Sequence, residues 1–241
     1  MSNLEKQGPM QLTKDQLEIV CTPVDEKLLV LAGPGTGKTH TLVHRIVHLV
    51  QEQGLVPYSD LLILSFSRAA IGEIKQRIST MVSSGFSDDL RFLNIRTFDS
   101  FSTKLMISLE ESVELVGKSY DERIQLATEI LSSDNPGAVS ILKQFRHVIV
   151  DEIQDLVGGR AKLVQQVLRV SNGGYSLFGD PAQGIFDYLV EQSGIGPKSI
   201  EFLSSIRGIS GNNLKEKVLD ENFRAQSPSV SIASNVRSLI T

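Results

Sequence analysis

Apolar residues follow two rhythms along this chain, short unbroken runs and stripes at three- and four-residue spacing, and the two alternate. The runs are Leu28 to Leu31, Leu61 to Leu64, Phe92 to Ile95, Val148 to Val150, Tyr175 to Phe178 and Lys217 to Leu219. Runs this short, and continuous rather than alternating with polar residues, predict strands buried on both faces, as in a parallel sheet. The stripes are Leu42, Val43, Ile46, Val47 and Val50, then Ile71, Ile74, Ile78 and Met81, and later Leu163, Val164, Val167 and Leu168. A shorter stripe, Leu17, Ile19 and Val20, follows Thr13 as a predicted N-cap. Strand, loop and helix repeated in this way predict an α/β protein with helices covering a parallel sheet, and ligands bind such sheets at the carboxyl ends of the strands.

One stretch breaks the alternation. Residues 107–146 carry a mainly helical pattern, with Ile124, Ala127 and Leu131, a break at Asn135-Pro136-Gly137, and Ile141 to Phe145. We read a small helical insertion there, within a domain formed by residues 1–106 and 147–241. Gly208 and Gly211 to Asn213 predict loops around a short helix from Ser199 to Ile206, and Pro228 opens a last predicted helix.

Composition narrows the class. The 241 residues are 41% hydrophobic and 22% charged, enough for one large core. No apolar stretch approaches the roughly 18–20 residues of a membrane span, and Met1 to Lys14 lacks the apolar segment of a signal peptide, so a cytoplasmic location and no membrane partner are expected. Cys21 is the only cysteine, which excludes an internal disulfide, and its place beside an apolar stripe predicts a helix-packing residue rather than a nucleophile. A net charge of −4 argues against a chain that coats nucleic acid, so any such site must be a local groove.

The chemistry begins where the first run breaks into Ala32-Gly33-Pro34-Gly35-Thr36-Gly37-Lys38-Thr39. Gly33, Gly35 and Gly37 allow backbone angles that aim successive N–H groups at phosphate oxygens, and the helix that follows adds its positive end. In such a loop Lys38 reaches the β- and γ-phosphates and Thr39 holds Mg²⁺, with His40 next in line; Ala32 stands where the general pattern has glycine. A carboxylate pair, Asp151 and Glu152, directly follows the fourth run, where Asp151 would hold Mg²⁺ and Glu152 would orient and deprotonate water. His40, His44 and His48 fall four apart on one helix face, a spacing open to metal binding, but without a carboxylate or thiol nearby they read as a polar face.

These segments, in this order, resemble the first RecA-like domain of superfamily 1 DNA helicases of the UvrD/Rep type. The resemblance spans Leu12 to about Ala225. It rests on Leu12 to Gln16, the phosphate loop, Ser65-Phe66-Ser67, Thr97-Phe98, the Asp-Glu-Ile-Gln-Asp box at Asp151 to Asp155, Gly179 to Gln183, and Asn222-Phe223-Arg224. It implies a P-loop NTPase fold with a RecA-like sheet, and ATP and Mg²⁺ as ligands. Gln16 would recognise adenine, Phe223 would stack on it, Gln154 and Gln183 would sense the γ-phosphate, and Arg224 would serve as an arginine finger. Phe66, Phe186 and Tyr188 match positions that stack on single-stranded bases, and Arg68, Thr97 and Phe98 lie in the matching DNA-contact segments. Lys75, Arg77, Arg96 and Lys104 could add phosphate contacts.

The chain also departs from the family. Arg68-Ala69-Ala70 replaces Asn-Lys-Ala-Ala, Asp99 stands where histidine is common, and Leu189-Val190 replaces an Arg-Gly pair. The stretch between Thr97 and Asp151 is shorter than the usual accessory domain, and no second RecA-like domain follows Arg224. The expectation is an N-terminal part of a longer protein, the ATP-binding half of a helicase that moves on single-stranded DNA, 3′ to 5′, in repair, replication or recombination, with a second RecA-like domain as partner and with weak ATP binding and little turnover by this half alone. A competing expectation is a nucleotide-gated DNA-binding module that recruits a nuclease or repair partner without unwinding.

Overall fold

The computed structural model of the protein describes residues 12–110, 115–171, 173–180, 190 and 196–223. Six strands form one sheet: β1 (Lys27–Ala32), β2 (Leu61–Ser65), β3 (Asn94–Thr97), β4 (His147–Val150), β5 (Gly174–Gly179) and β6 (Leu214–Leu219). Their order is β3-β2-β4-β5-β1-β6, and every pair is parallel. Three of the six runs have the burial that their continuity predicts, since β2, β4 and β5 are buried at every position, whereas the edge strands β3 and β6 are only partly buried.

The helices among the described residues are α1 (Lys14–Val20), α2 (Lys38–Gln51), α3 (Arg68–Ser83), α4 (Phe98–Ser108), α5 (Tyr120–Ser132), α6 (Pro136–Lys143), α7 (Gly158–Ser171) and α8 (Ser199–Ser210). They sort into two layers. Leu28, Val30, Leu42, Ile46, Leu61, Ile63, Ile74 and Ile78 make the core on one face of the sheet, with α2 and α3. Leu29, Leu62, Val148 and Leu177 face the other, where α4, α5, α6 and α7 contribute Phe101, Leu105, Ile124, Leu131, Leu142 and Val164. The helical stretch that interrupts the alternation therefore packs into that second core. A fully buried leucine or isoleucine is worth about 1.5–3 kcal/mol in removed apolar surface, so both layers bind the helices firmly.

Several boundaries differ from expectation. The third strand starts at Asn94, not Phe92, because Ser87 caps a 3₁₀ turn over Asp88–Phe92. Asn135-Pro136-Gly137 begins a helix instead of breaking one: the Asn135 side chain accepts from the N–H groups of Gly137 and Ala138, and Pro136 takes the first helical position, where its missing N–H costs nothing. Gly208 lies inside α8, and β6 runs three residues further forward, to Leu214, because Leu214 pairs with Lys27 at the start of β1. Cys21 is exposed at the C-cap of α1 rather than packed, and partial burial raises its thiol pKa, away from a reactive thiolate.

A buried arginine ties α1 to α2. Arg45, on α2 and fully shielded from water, donates to the carbonyls of Val20, Thr22 and Pro23 at the end of α1. Each of the protein's four histidines has a pKa lowered by burial, His40 to about 4 and His147 to about 3. A lowered histidine pKa means that the unfolded chain takes up protons first, so stability is full above about pH 6.5 and is lost as pH falls below it. Fully buried His147, bonded to Val24 and Ser176, is expected to cost about 2 kcal/mol at pH 5 from this linkage alone. Thermal melting from pH 7.5 to 5 should show a steep loss of Tm, and His147→Gln should flatten part of it; parallel slopes would assign the loss elsewhere.

Candidate nucleotide site and nucleic-acid groove

The phosphate loop leaves β1 at the buried Ala32 and enters α2 at Lys38. Its middle is stiffened by Thr36, whose hydroxyl donates to Gly33 O at 2.8 Å. Gly35 and Gly37 have φ of 80° and 81°, the left-handed region where a side chain is strained. At Gly37 there is also no room: a Cβ would lie 2.6 Å from Gln16 Nε2 and 3.6 Å from the Phe223 ring. Gly37→Ala is therefore expected to cost about 1–2 kcal/mol in backbone strain and to push Gln16 aside, lowering Tm and loosening nucleotide binding together. Unchanged melting and binding would refute this.

Gln16 reaches the loop from α1. With Thr13 it forms a capping box, its Oε1 accepting from Thr13 N at 3.1 Å, while its Nε2 donates to Thr36 O at 3.3 Å. An amide oxygen has two lone pairs and an amide nitrogen two hydrogens, so one acceptor and one donor remain for a base edge. Phe223 closes the same end, its N–H donating to Gly35 O at 2.8 Å and its ring 43% exposed, and Asn222 Nδ2 donates to Pro34 O at 2.9 Å. Gln16, Pro34, Gly35 and Phe223, with Lys38, Thr39, His40, Glu73, Arg77, Glu152 and Asp180, line a cavity of about 550 Å³.

Opposite the loop stands the end of β4. Asp151 is buried, and burial pushes its carboxyl up to about 6 against the pull of Lys38. Its Oδ1 lies 3.5 Å from Lys38 Nζ and makes no hydrogen bond. A buried, orphaned carboxylate oxygen beside the phosphate loop fits a divalent cation, with the Thr39 hydroxyl as the second ligand named by the loop pattern. Glu152 is paired with Lys38 and has φ 57° and ψ 47°, left-handed for a residue with a side chain. Such strain costs on the order of 1–3 kcal/mol and gathers at functional sites. Gln154 then links two elements: its Nε2 donates to Glu152 Oε2 at 2.6 Å, and its Oε1 accepts from Asp180 N at 2.9 Å at the end of β5. Gln183, Phe186, Tyr188 and Arg224 lie outside the described residues.

A second, basic groove lies at the ends of β2 and β3. Phe66, Arg68, Lys75, Arg96, Thr97, Lys104 and Tyr120 line a volume of about 820 Å³ there. The nucleic-acid residues expected from sequence separate at this point. Phe66, Arg68 and Thr97 face the groove, with Thr97 also capping α4 through Ser100 N at 3.2 Å. Phe98 does not: it is 1% exposed and packs in the core, so its side chain has no surface to offer a base. One helix, α3, borders both cavities, with Glu73 and Arg77 at the first and Arg68 and Lys75 at the second. Arg77, expected with Lys75, Arg96 and Lys104 among the nucleic-acid phosphate contacts, lines the phosphate-loop cavity instead, bonded to Glu73. Of the three histidines of α2, His44 is buried and His40 and His48 are partly buried, so they form no solvated face, and among the described residues no group of three or more His, Cys, Asp or Glu could hold a metal.

A family model described as UvrD/REP helicase N-terminal domain matches residues 12–118 and 110–193. Among curated proteins, the ATP-dependent DNA helicase PcrA of Leuconostoc citreum is 33% identical over 104 residues, 43% of this chain and 13% of that protein. PcrA of Staphylococcus epidermidis is 27% identical over 130 residues, 52% of this chain and 17% of that one. The aligned part is thus a small fraction of these relatives' length. Among solved structures, the Pif1 helicase of Candida albicans superposes with a TM-score of 0.54 and 16% identity, over 95% of this chain and 44% of that one. A Bacteroides Pif1 in complex with ADP-AlF4 gives 0.50 and 14%, over 96% and 47%.

Proposed function

The chain belongs to the UvrD/REP helicase N-terminal domain family, with a RecA-like P-loop fold, and from there we propose that it is the ATP-binding and hydrolysing half of a translocase on single-stranded DNA. One observation carries the reading: Gln16, the phosphate loop, Lys38, Glu152 and Phe223, far apart in sequence, meet around a single cavity, with buried Asp151 directly behind Lys38. Gln16 and Phe223 read the base, the loop N–H groups and Lys38 hold the phosphates, and Glu152 draws the proton from the attacking water. Mg²⁺, held by Thr39 and Asp151, supplies charge neutralisation at the phosphate oxygens when bound. Lys38, now paired with Glu152, moves to the phosphates, which frees Glu152 to act as base and pulls on Gln154 and Asp180. Arg224 and Gln183 complete the transition-state contacts in this reading, and closure of a second RecA-like domain speeds turnover. Movement 3′ to 5′ and work in repair, replication or recombination belong to the same proposal.

The basic groove takes the DNA strand, and α3 joins it to the nucleotide cavity. Linkage is reciprocal, so a non-hydrolysable ATP analogue with Mg²⁺ is expected to shift the affinity of this chain for a single-stranded oligonucleotide by about fivefold or more. Fluorescence anisotropy with DNA and RNA of one sequence checks this. No shift would remove the coupling, and preference for RNA would remove the DNA assignment.

A further inference from the structure

One aromatic ring that lines the basic groove is partly covered. Phe66 packs on the core, and the guanidinium of Arg160, from the first turn of α7, lies over its ring at 5.7 Å from the centroid. The part of the ring beneath Arg160 is therefore closed to a base, at the boundary between the basic groove, lined by Phe66 and Asp99, and the neighbouring cavity that Arg160 and Asp121 line. Arg160 is held there by two carboxylates from two other helices, Asp121 in the first turn of α5 at 3.3 Å and Asp99 in the first turn of α4 at 3.7 Å. The hold is loose: Asp121 is 83% exposed, and Asp99 Oδ1 is buried yet makes no hydrogen bond. Ion pairs of this kind contribute little, because water screens them and two side chains must be ordered to make them. A phosphodiester is a better partner, since guanidinium and phosphate meet through two parallel hydrogen bonds.

We propose that Arg160 is a nucleic-acid contact held closed by Asp99 and Asp121, and that a strand entering the groove draws it to a phosphate and opens the face of Phe66 to a base. This rests on the reading of the groove as a single-stranded DNA site. Arg68, Lys75, Arg96 and Lys104 line that groove and bring the strand close. The barrier to binding is the exchange of Arg160 from carboxylate to phosphate, and the return is one stacked base. Asp99, on α4, and Asp121, on α5, thus set how readily the groove accepts a strand.

The test compares an oligo-dT with an abasic oligonucleotide of the same length, which carries the same phosphates without bases. In the 241-residue chain, Asp99→Asn with Asp121→Asn is expected to tighten oligo-dT about tenfold and the abasic strand only about two- to threefold, and Phe66→Ala should erase the difference. Asp121→Asn alone, at an exposed position in the first turn of α5, should move both affinities in the same directions by less. Equal tightening of both strands, no tightening, or a base-dependent gain that survives Phe66→Ala overturns the proposal. Should Phe66→Ala and Lys104→Ala leave oligo-dT affinity unchanged in the otherwise native chain, the groove itself is misassigned, a separate failure.

Discussion

Lys38→Ala is expected to weaken Mg·ATP binding by about 10- to 100-fold, the loss of a charged hydrogen-bond partner worth about 1.5–3 kcal/mol. Lys38 Nζ bonds to Glu152 and lies 3.5 Å from Asp151, so it is the cation that keeps two carboxylates compatible with a phosphate group. Without it Glu152 faces the nucleotide with Asp151 buried behind it and no lysine between them, and repulsion adds to the lost bond. Titration with a fluorescent ATP analogue reads the effect directly. Thermal melting of the same variant separates it from unfolding, since α2 keeps its other contacts with the core.

Glu152→Gln is expected to act differently, cutting hydrolysis by about 10²- to 10⁴-fold while nucleotide affinity changes only a few-fold. Glutamine keeps the length of the side chain and its contact with Gln154, but it cannot take a proton from water. The residue's position supports the role. It is held in a left-handed conformation between a buried carboxylate and the Gln154 bridge to Asp180, and nothing in strand packing asks for that strain. Single-turnover hydrolysis checks it, and equal losses of binding and turnover would mean that Glu152 only shapes the cavity.

The sheet was legible because its inner strands β2, β4 and β5 are buried on both faces, which leaves unbroken apolar runs such as Leu61 to Leu64. Strand order was not, since parallel pairing leaves no mark on the runs themselves. The nucleotide cavity was legible in part because Gly35, Gly37 and Lys38 are neighbours in the chain, and their types follow from local backbone and charge. Arg45 was missed because its partners are backbone carbonyls, which any residue supplies. Phe98 misled for a local reason: Thr97 caps α4, and the helix it starts turns the next side chain into the core. Arg160, Asp99 and Asp121 come from three helices, and only the packing of α4, α5 and α7 brings them together.

The central claim, an adenine-nucleotide site built by Gln16, the phosphate loop and Phe223, is tested most directly by competition. A bound fluorescent ATP analogue on the 241-residue chain, with Mg²⁺ present, is displaced by unlabelled ATP or GTP. The account predicts saturable binding at one site, displacement by ATP about tenfold better than by GTP, the worth of roughly one base-reading hydrogen bond, and near-equal displacement in Gln16→Ala. No saturable binding, or ATP and GTP competing equally in the native chain with Lys38→Ala unchanged, would contradict it.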